Sequence, residues 1–361
     1  MNDESLRAGT IELLRGLSET FGVSGFEGEV RGGIRSLVEP LADRVEEDPL
    51  GNLHAVIEEG GSFTVMLDAH MDEVGFVIKG IEENGFLRLA PIGGWDPRVL
   101  PGQAILVRGR GGEKYWGVVG AVPPHVQEAE EKNRVLGWKD LFADIGAKAA
   151  GEVRRMGIRV GSPAVLHQPF RVLGDETILG KALDDRAGCA LLIKVLESMA
   201  RQRPGCRVVA TFSSSEEVGS RGARVAAQRW EPQMAFVLEG TLATDTPGVR
   251  PDQRVSSLGL GPVLTAVDRS LIVPEGLLER IIAVAESLGI PWQIKTPLVG
   301  STDGGAIQLS AGGVITAVVA VPCRYIHSPG CMMRLTDLLH AEHLVEALVR
   351  DAEKIYHETL R

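Results

Sequence analysis

Apolar residues fall into two different rhythms along the chain. Residues 3–21 alternate apolar and charged positions with helical spacing, and the pattern breaks at Phe21-Gly22. Residues 63–69 (FTVMLDA) form a short continuous apolar run ending at His70, which predicts a buried strand with polar residues at its carboxyl end. Residues 74–172 are instead rich in β-branched residues, glycines and turns. Within them FVIKGIEENGFLRL carries Asn84-Gly85, a hairpin signal, because a type I′ turn needs positive φ at both central positions. AILVRGRGGEKYWGVVG reads as a second hairpin. The stretch 74–172 is therefore expected to be a small β-rich domain inserted into a larger one made of residues 1–73 and 173–361.

After residue 179 the rhythm is that of alternating strands and helices. Residues 182–199 predict a helix with an apolar face of Ala187, Leu191, Ile193 and Val195. CRVVATFSSS, from Cys206, predicts a strand with a polar end, and residues 221–230 can be helical. Residues 234–238 (MAFVL) predict another buried strand, ending at Glu239. Residues 274–288 predict an amphipathic helix, with proline at the start and Gly289 just past the end. A strand at 314–321 and a C-terminal helix at 335–356 complete the pattern. Such alternation implies an α/β fold with a mostly parallel sheet and helices on both faces.

Composition narrows the function classes. A chain of 361 residues exceeds one ordinary core, which agrees with two domains. The net charge is −10 and no dense run of Lys and Arg occurs, so neither nucleic acid nor an anionic membrane surface is an expected partner. The N-terminal MNDESLRAGT lacks the basic start and apolar run of a signal peptide. The longest apolar stretch, residues 314–321, falls far short of the ~20 residues needed to cross a bilayer. Cys189, Cys206, Cys323 and Cys331 show no CxxC spacing and are expected to be reduced, buried thiols. A cytoplasmic protein is the expectation.

The chemistry gathers where apolar strands stop. His70-Met71-Asp72 follows one strand, Glu216-Glu217 another, Glu239 a third and His327 a fourth, while Asp184-Asp185 precedes the helix at Ala187. Singly, each has an ordinary explanation: a structural histidine, a solvated glutamate pair, an aspartate helix cap. Jointly they place carboxylates and imidazoles at the carboxyl ends of strands, where open α/β sheets bind ligands. Two divalent cations about 3.5–4 Å apart can clamp a water and polarise a carbonyl, and a carboxylate is the side chain able to give one oxygen to each. Imidazole and carboxylate are the usual partners of zinc in open catalytic sites. A further carboxylate must take the proton from the water, so one of two adjacent glutamates can bind metal while the other serves as base.

In order along the chain, His70-Met71-Asp72, Ala182-Leu183-Asp184-Asp185-Arg186, Ser215-Glu216-Glu217-Val218-Gly219, Thr244-Asp245-Thr246-Pro247-Gly248 and Tyr325-Ile326-His327-Ser328-Pro329 resemble the M42 metallopeptidases, the glutamyl and tetrahedral (TET) aminopeptidase group. The resemblance covers essentially the whole chain. It implies a catalytic α/β domain interrupted by a smaller β domain used in association. It implies two divalent ions per subunit (zinc, or cobalt or manganese) and peptide substrates. His70 and Glu239 would hold one metal, Glu217 and His327 the other, and Asp184 would bridge them. Glu216 would be the general base, Asp72 would orient His70, and Asp185 would follow Asp184 through a strained peptide, cis in related enzymes. Many relatives form hollow dodecamers, so a homo-oligomer is implied. The endoglucanase label attached to some relatives has no support in these residues, because glycoside hydrolysis uses two carboxylates flanking a sugar.

Glu239 departs from the aspartate commoner in the aminopeptidases, and in related exopeptidases glutamate there accompanies carboxypeptidase activity. The rest of its motif follows the aminopeptidases, and glutamate's extra methylene lets its carboxylate reach a metal from a slightly more distant backbone. A second reading keeps the metals but makes the enzyme a deacylase of N-acylated small molecules. A third is a peptide-binding protein with a dead site. Gly259-Leu260-Gly261 hints at a dinucleotide fold only weakly, since no GxGxxG follows a strand. The loop around Thr302-Asp303-Gly304-Gly305 is expected to shape the specificity pocket.

Overall fold

A computed structural model describes residues 3–59, 61–128 and 133–360. Helix α1 (Asp3–Glu19) realises the first helical pattern. Helix α2 (Gly28–Val38) was not legible, because Gly28, Gly32 and Gly33 lower helix propensity. Burial of Val30, Ile34 and Val38 along one face outweighs that deficit. Strands β1 (Arg44–Glu47), β2 (Leu53–Ile57) and β3 (Thr64–His70) follow, the last fully buried as its apolar run requires.

The chain then builds a separate sheet from β4 (Gly75–Ile81), β5 (Leu87–Ile92), β6 (Ala104–Arg108), β7 (Lys114–Gly120), β8 (Phe142–Asp144) and β9 (Pro163–Leu166). Pairing of β4 with β9 closes these six strands into a barrel around its own core, which includes Phe76, Ile105, Val107 and Leu141. Both expected hairpins are present, β4–β5 and β6–β7. The first is not closed by a type I′ turn. Gly85 takes φ +91° but Asn84 does not have positive φ, and the Gly85 amide donates to the Glu82 carbonyl at 2.9 Å. Helix α3 (Ala150–Arg155) lies between β8 and β9.

After the barrel come β10 (Arg171–Leu173), β11 (Thr177–Gly180), α4 (Leu183–Arg201), β12 (Arg207–Ser213), α5 (Arg221–Trp230) and β13 (Met234–Ala243). Then follow β14 (Val263–Leu264), α6 (Glu275–Ser287), β15 (Gln293–Ile294), α7 (Asp303–Gln308), β16 (Ile315–Arg324), β17 (Cys331–Arg334), α8 (Leu335–Arg350) and α9 (Ala352–Thr359). The expected single C-terminal helix is thus two, interrupted at Asp351.

Among the described residues the large sheet has eleven strands, with a spine in the order β1-β2-β12-β3-β13-β16-β17-β11-β10. It is mixed. Pairing is parallel through β12, β3, β13 and β16, and between β14 and β15. It is antiparallel at both flanks and where β14 meets β16. The flanks differ because β1–β2 and β10–β11 are hairpins, which can only pair antiparallel, whereas the centre is linked through helices. Helix α4 packs on β3 and β13 and against α1 and α8, while α7 packs on β3, β13 and β16 and against α5. Residues 187–196 of α4 are buried all round, so the single apolar stripe expected for this helix is really a core helix. All four cysteines are free and buried. No helix among the described residues is long and apolar enough to cross a membrane.

Candidate metal centre

The parallel centre sets the geometry of the site. His70 lies opposite Ser213 across β3 and β12, and β13 and β16 run the same way on the other side. Four carboxyl ends therefore share one edge of the sheet. His70 is the last residue of β3. Glu216 and Glu217 lie in the turn after β12, entered through Ser215 at φ +58°. Glu239 lies inside β13, which runs on to Ala243 instead of stopping before it as the apolar pattern suggested. Asp184 opens α4 with non-helical backbone and is joined to Asp185 by a cis peptide. His327 follows β16 at φ +56°.

These residues converge as two sets that share one carboxylate. His70 Nε2 lies 3.4 Å from Asp184 Oδ1 and 3.3 Å from Glu239 Oε1. His327 Nε2 lies 3.4 Å from Asp184 Oδ2 and 3.1 Å from Glu217 Oε1. Each oxygen of Asp184 thus faces a different imidazole. Asp185 also brings an oxygen within 4.8 Å of ligand atoms of His70 and Glu239. Both its oxygens are already engaged, by the His70 amide at 3.1 Å and the Gly188 amide at 2.9 Å, so it anchors the helix start to the end of β3.

Asp72 organises the centre from behind. The His70 Nδ1–H donates to the Asp72 carbonyl at 3.1 Å, with Asp72 Oδ1 at 3.5 Å, which leaves Nε2 to face the carboxylates. The Asp72 carboxylate accepts the amides of Glu216 at 2.9 Å and Glu217 at 3.2 Å, and the Ser24 hydroxyl at 2.6 Å. One buried residue therefore fixes a histidine through its carbonyl and both glutamates through its carboxylate. Glu27 supports the same turn, its Oε1 accepting the Ser215 amide at 3.2 Å.

Charge is badly unbalanced here. Asp68, Asp72, Asp184, Asp185, Glu216, Glu217, Glu239 and Asp303 crowd around two imidazoles, and among the described residues no Lys or Arg pairs with any of them. Burial, then neighbouring carboxylates, lift Glu239 to about 8 against the opposing pull of His70. Burial likewise holds Glu216 well above the usual carboxylate range. For His327 burial works the other way, but Asp184 and Glu217 prevail and push it up to about 11. A buried group of this sign and donor chemistry fits divalent cations: neutral imidazole nitrogens and carboxylate oxygens in two sets around a shared aspartate.

The centre opens into a cavity of about 430 Å³, whose wall includes Gly94, Glu216, Leu242, Lys295, Val299 and Ile326. Of Thr302-Asp303-Gly304-Gly305, the loop expected to shape it, Thr302 lines the cavity, joined there by Val299, Gly300 and Ser301 just before it. Asp303 turns away, accepting the Ser213 hydroxyl at 2.8 Å. Arg324 is committed to Asp245 through two contacts of 2.8 and 2.6 Å. The Gly259 and Gly261 amides bind the Asp337 carboxylate at 2.7 and 2.9 Å, so that glycine pair has a structural use and no dinucleotide role. Sequence reasoning missed Asp68 and Lys295, and named Asp303 only as part of the pocket loop. Asp68 had a signal, a carboxylate within the apolar run FTVMLDA, whereas Lys295 follows β15 without one and Asp303 opens α7.

A mixed α/β sheet that gathers imidazoles and carboxylates at its parallel edge fits a hydrolase, with donors of the kind that suit divalent metal. The chain belongs to the M42 glutamyl aminopeptidase family, whose family model matches residues 51–344. It is 33% identical over 349 residues to a lysyl aminopeptidase of Pyrococcus furiosus, covering 94% of this chain and 96% of that one. Among solved structures it resembles the TET aminopeptidase of a marine sediment thaumarchaeon, with TM-score 0.94, 34% identity and 98% and 99% coverage of the two chains. It also resembles the Pyrococcus horikoshii TET1 peptidase, described as assembling into a tetrahedron or a large octahedral shell, with TM-score 0.84, 34% identity and 94% and 99% coverage.

Proposed function

We propose that this protein is a co-catalytic two-metal aminopeptidase that removes N-terminal residues from peptides. The observation that carries the reading is Asp184, whose two oxygens each face a different histidine. His70, Glu239 and Asp184 would hold one divalent ion, and Glu217, His327 and Asp184 the other, with zinc as the proposed ion and cobalt or manganese suited to the same donors. Two such ions supply Lewis acidity towards the scissile carbonyl and lower the pKa of a water towards ~7.

The rest of the work belongs to the chain. Asp72 fixes the His70 ring and the backbone of Glu216 and Glu217, so the base and the ligands are positioned by one group. Glu216 borders the cavity and accepts the Ser220 hydroxyl on Oε1 at 3.3 Å, which leaves Oε2 to take the proton of the attacking water and return it to the leaving amine. The bidentate Arg324–Asp245 pair supports the amino-terminal direction of attack, because the arginine beside the site is not free to receive a substrate's terminal carboxylate. Glu239 lies beside His70 at ligand distance, which supports a metal-binding role for it despite the longer side chain.

For assembly we propose a cytoplasmic homo-oligomer, a dodecamer, with residues 74–172 as the associating domain. Exposed Trp116, Val118 and Val122 on the barrel support this, together with the shells formed by the TET1 peptidase.

The test uses chelation and blocked peptides. Chelation should abolish hydrolysis and a divalent ion should restore it. A peptide blocked only at its C-terminus should be shortened from the front, while one blocked at its N-terminus should survive. Full activity in verified metal-free protein would overturn the metal reading. Turnover confined to N-acylated substrates would replace the aminopeptidase with a deacylase.

A further inference from the structure

Ser220 stands where a side chain ordinarily serves a helix. It is the residue before α5, the place where serine most often caps by accepting a free amide. Here the hydroxyl makes no such bond. The start of α5 is satisfied without it, because the Arg221 and Gly222 amides donate to the carbonyls of Ser215 at 3.3 Å and Ser214 at 3.0 Å. The backbone of Ser220 is also left-handed, with φ +50° and ψ +41°, a conformation that suits glycine and is costly for a residue with a Cβ. Neither capping nor backbone geometry therefore accounts for a serine at this position.

Its hydroxyl is used elsewhere. Ser220 lines the cavity beside Glu216 and donates to Glu216 Oε1 at 3.3 Å. The backbone of that glutamate is already held on both sides. Its carbonyl accepts the Gly219 and Ser220 amides at 2.8 and 2.9 Å, and its amide donates to Asp72 at 2.9 Å. These bonds leave the side-chain torsions free, and among the described residues Ser220 is the one donor that reaches the Glu216 carboxylate. A flexible glutamate that must meet a water in one orientation gains from such a restraint, and hydrogen bonds to carboxylates are of the stronger kind.

Resting on the reading of Glu216 as general base, we propose that Ser220 is a positioning residue, whose hydroxyl holds Glu216 Oε1 so that Oε2 faces the attacking water. The serine thus gives up a helix cap and adopts an unfavourable backbone in exchange for an oriented base.

Steady-state kinetics on the aminoacyl p-nitroanilide that the wild type cleaves fastest test this, with zinc content and thermal unfolding measured alongside. Ser220→Gly removes the hydroxyl and suits the left-handed backbone, so its fold should be at least as stable as the wild type. Its kcat should fall about 3–10-fold, with KM changed by less than about 2-fold and zinc content unaltered. Ser220→Asn keeps a donor on a residue that tolerates this backbone and should recover most of the rate. In a Glu216→Gln background Ser220→Gly should have no further effect, because the hydroxyl acts through the carboxylate. An equal fold loss in both backgrounds would show a merely structural role and overturn the proposal. So would an unchanged kcat in Ser220→Gly, or a loss confined to KM. A wild-type rate in Glu216→Gln, or no anilide turnover by the metal-loaded wild type, would overturn the reading beneath the proposal and the proposal with it.

Discussion

At the residue scale the division of labour between two adjacent glutamates is the sharpest point. Glu217 lies 3.1 Å from His327 and belongs to a donor set, whereas the Glu216 side chain, which accepts the Ser220 hydroxyl at 3.3 Å, has no imidazole partner among the described residues and borders the cavity. Glu216→Gln is therefore expected to keep both metals while kcat falls ~10²–10⁴-fold. Glu217→Gln should lose part of its metal in an elemental assay. A Glu216→Gln protein that loses metal yet keeps its rate per metal would show that the two roles are reversed. The residues themselves were legible because carboxylates and imidazoles stand out where apolar strands end. Their supporting partners were less so. Nothing near Ser24 or Glu27 in sequence announces that the first binds Asp72, 48 residues on, or that the second braces a turn 188 residues away.

At the scale of elements, the approach of α4 to β13 delivers Asp184 to the centre. Gly188 marks the contact: a Cβ there would stand 2.3 Å from Asp185 Oδ1 and 2.6 Å from the Leu238 carbonyl. The second neighbour is backbone and cannot rotate aside. Gly188→Ala is expected to destabilise the fold by about 1–3 kcal/mol, read from chemical denaturation, and to weaken metal binding with it. Unchanged stability would mean that the helix can shift without cost. The helices and central strands were legible from periodicity. The antiparallel flanks were not, because β1, β10 and β11 are short, and β1 and β10 are exposed or half-buried and carry no strong apolar signal. The length of β13 was missed for the converse reason: Glu239 ends the apolar run but not the strand, its carboxylate facing His70 from within the sheet.

At the scale of the molecule, a closed barrel with its own core accompanies the large sheet that carries the candidate site, and its surface exposes Trp116, Val118 and Val122. Patches of this kind on small domains generally mark contact with another chain. Light scattering coupled to size exclusion should therefore give a homo-oligomer, with a dodecamer as the expected mass. A monomer at every concentration would refute the assembly reading without touching the site. The barrel's extent was suggested by turn-rich, β-branched sequence, but its closure was not, since pairing of β4 with β9 joins segments more than eighty residues apart.

The central claim is that one aspartate joins two cation sites, and anomalous diffraction from a zinc-loaded crystal tests it most directly. Two peaks are predicted about 3.5–4 Å apart, one on each oxygen of Asp184. The first should lie ~2.0–2.2 Å from His70 Nε2 and Glu239, and the second at the same range from His327 Nε2 and Glu217. A single peak, or peaks that leave Asp184 without a metal, would contradict the account.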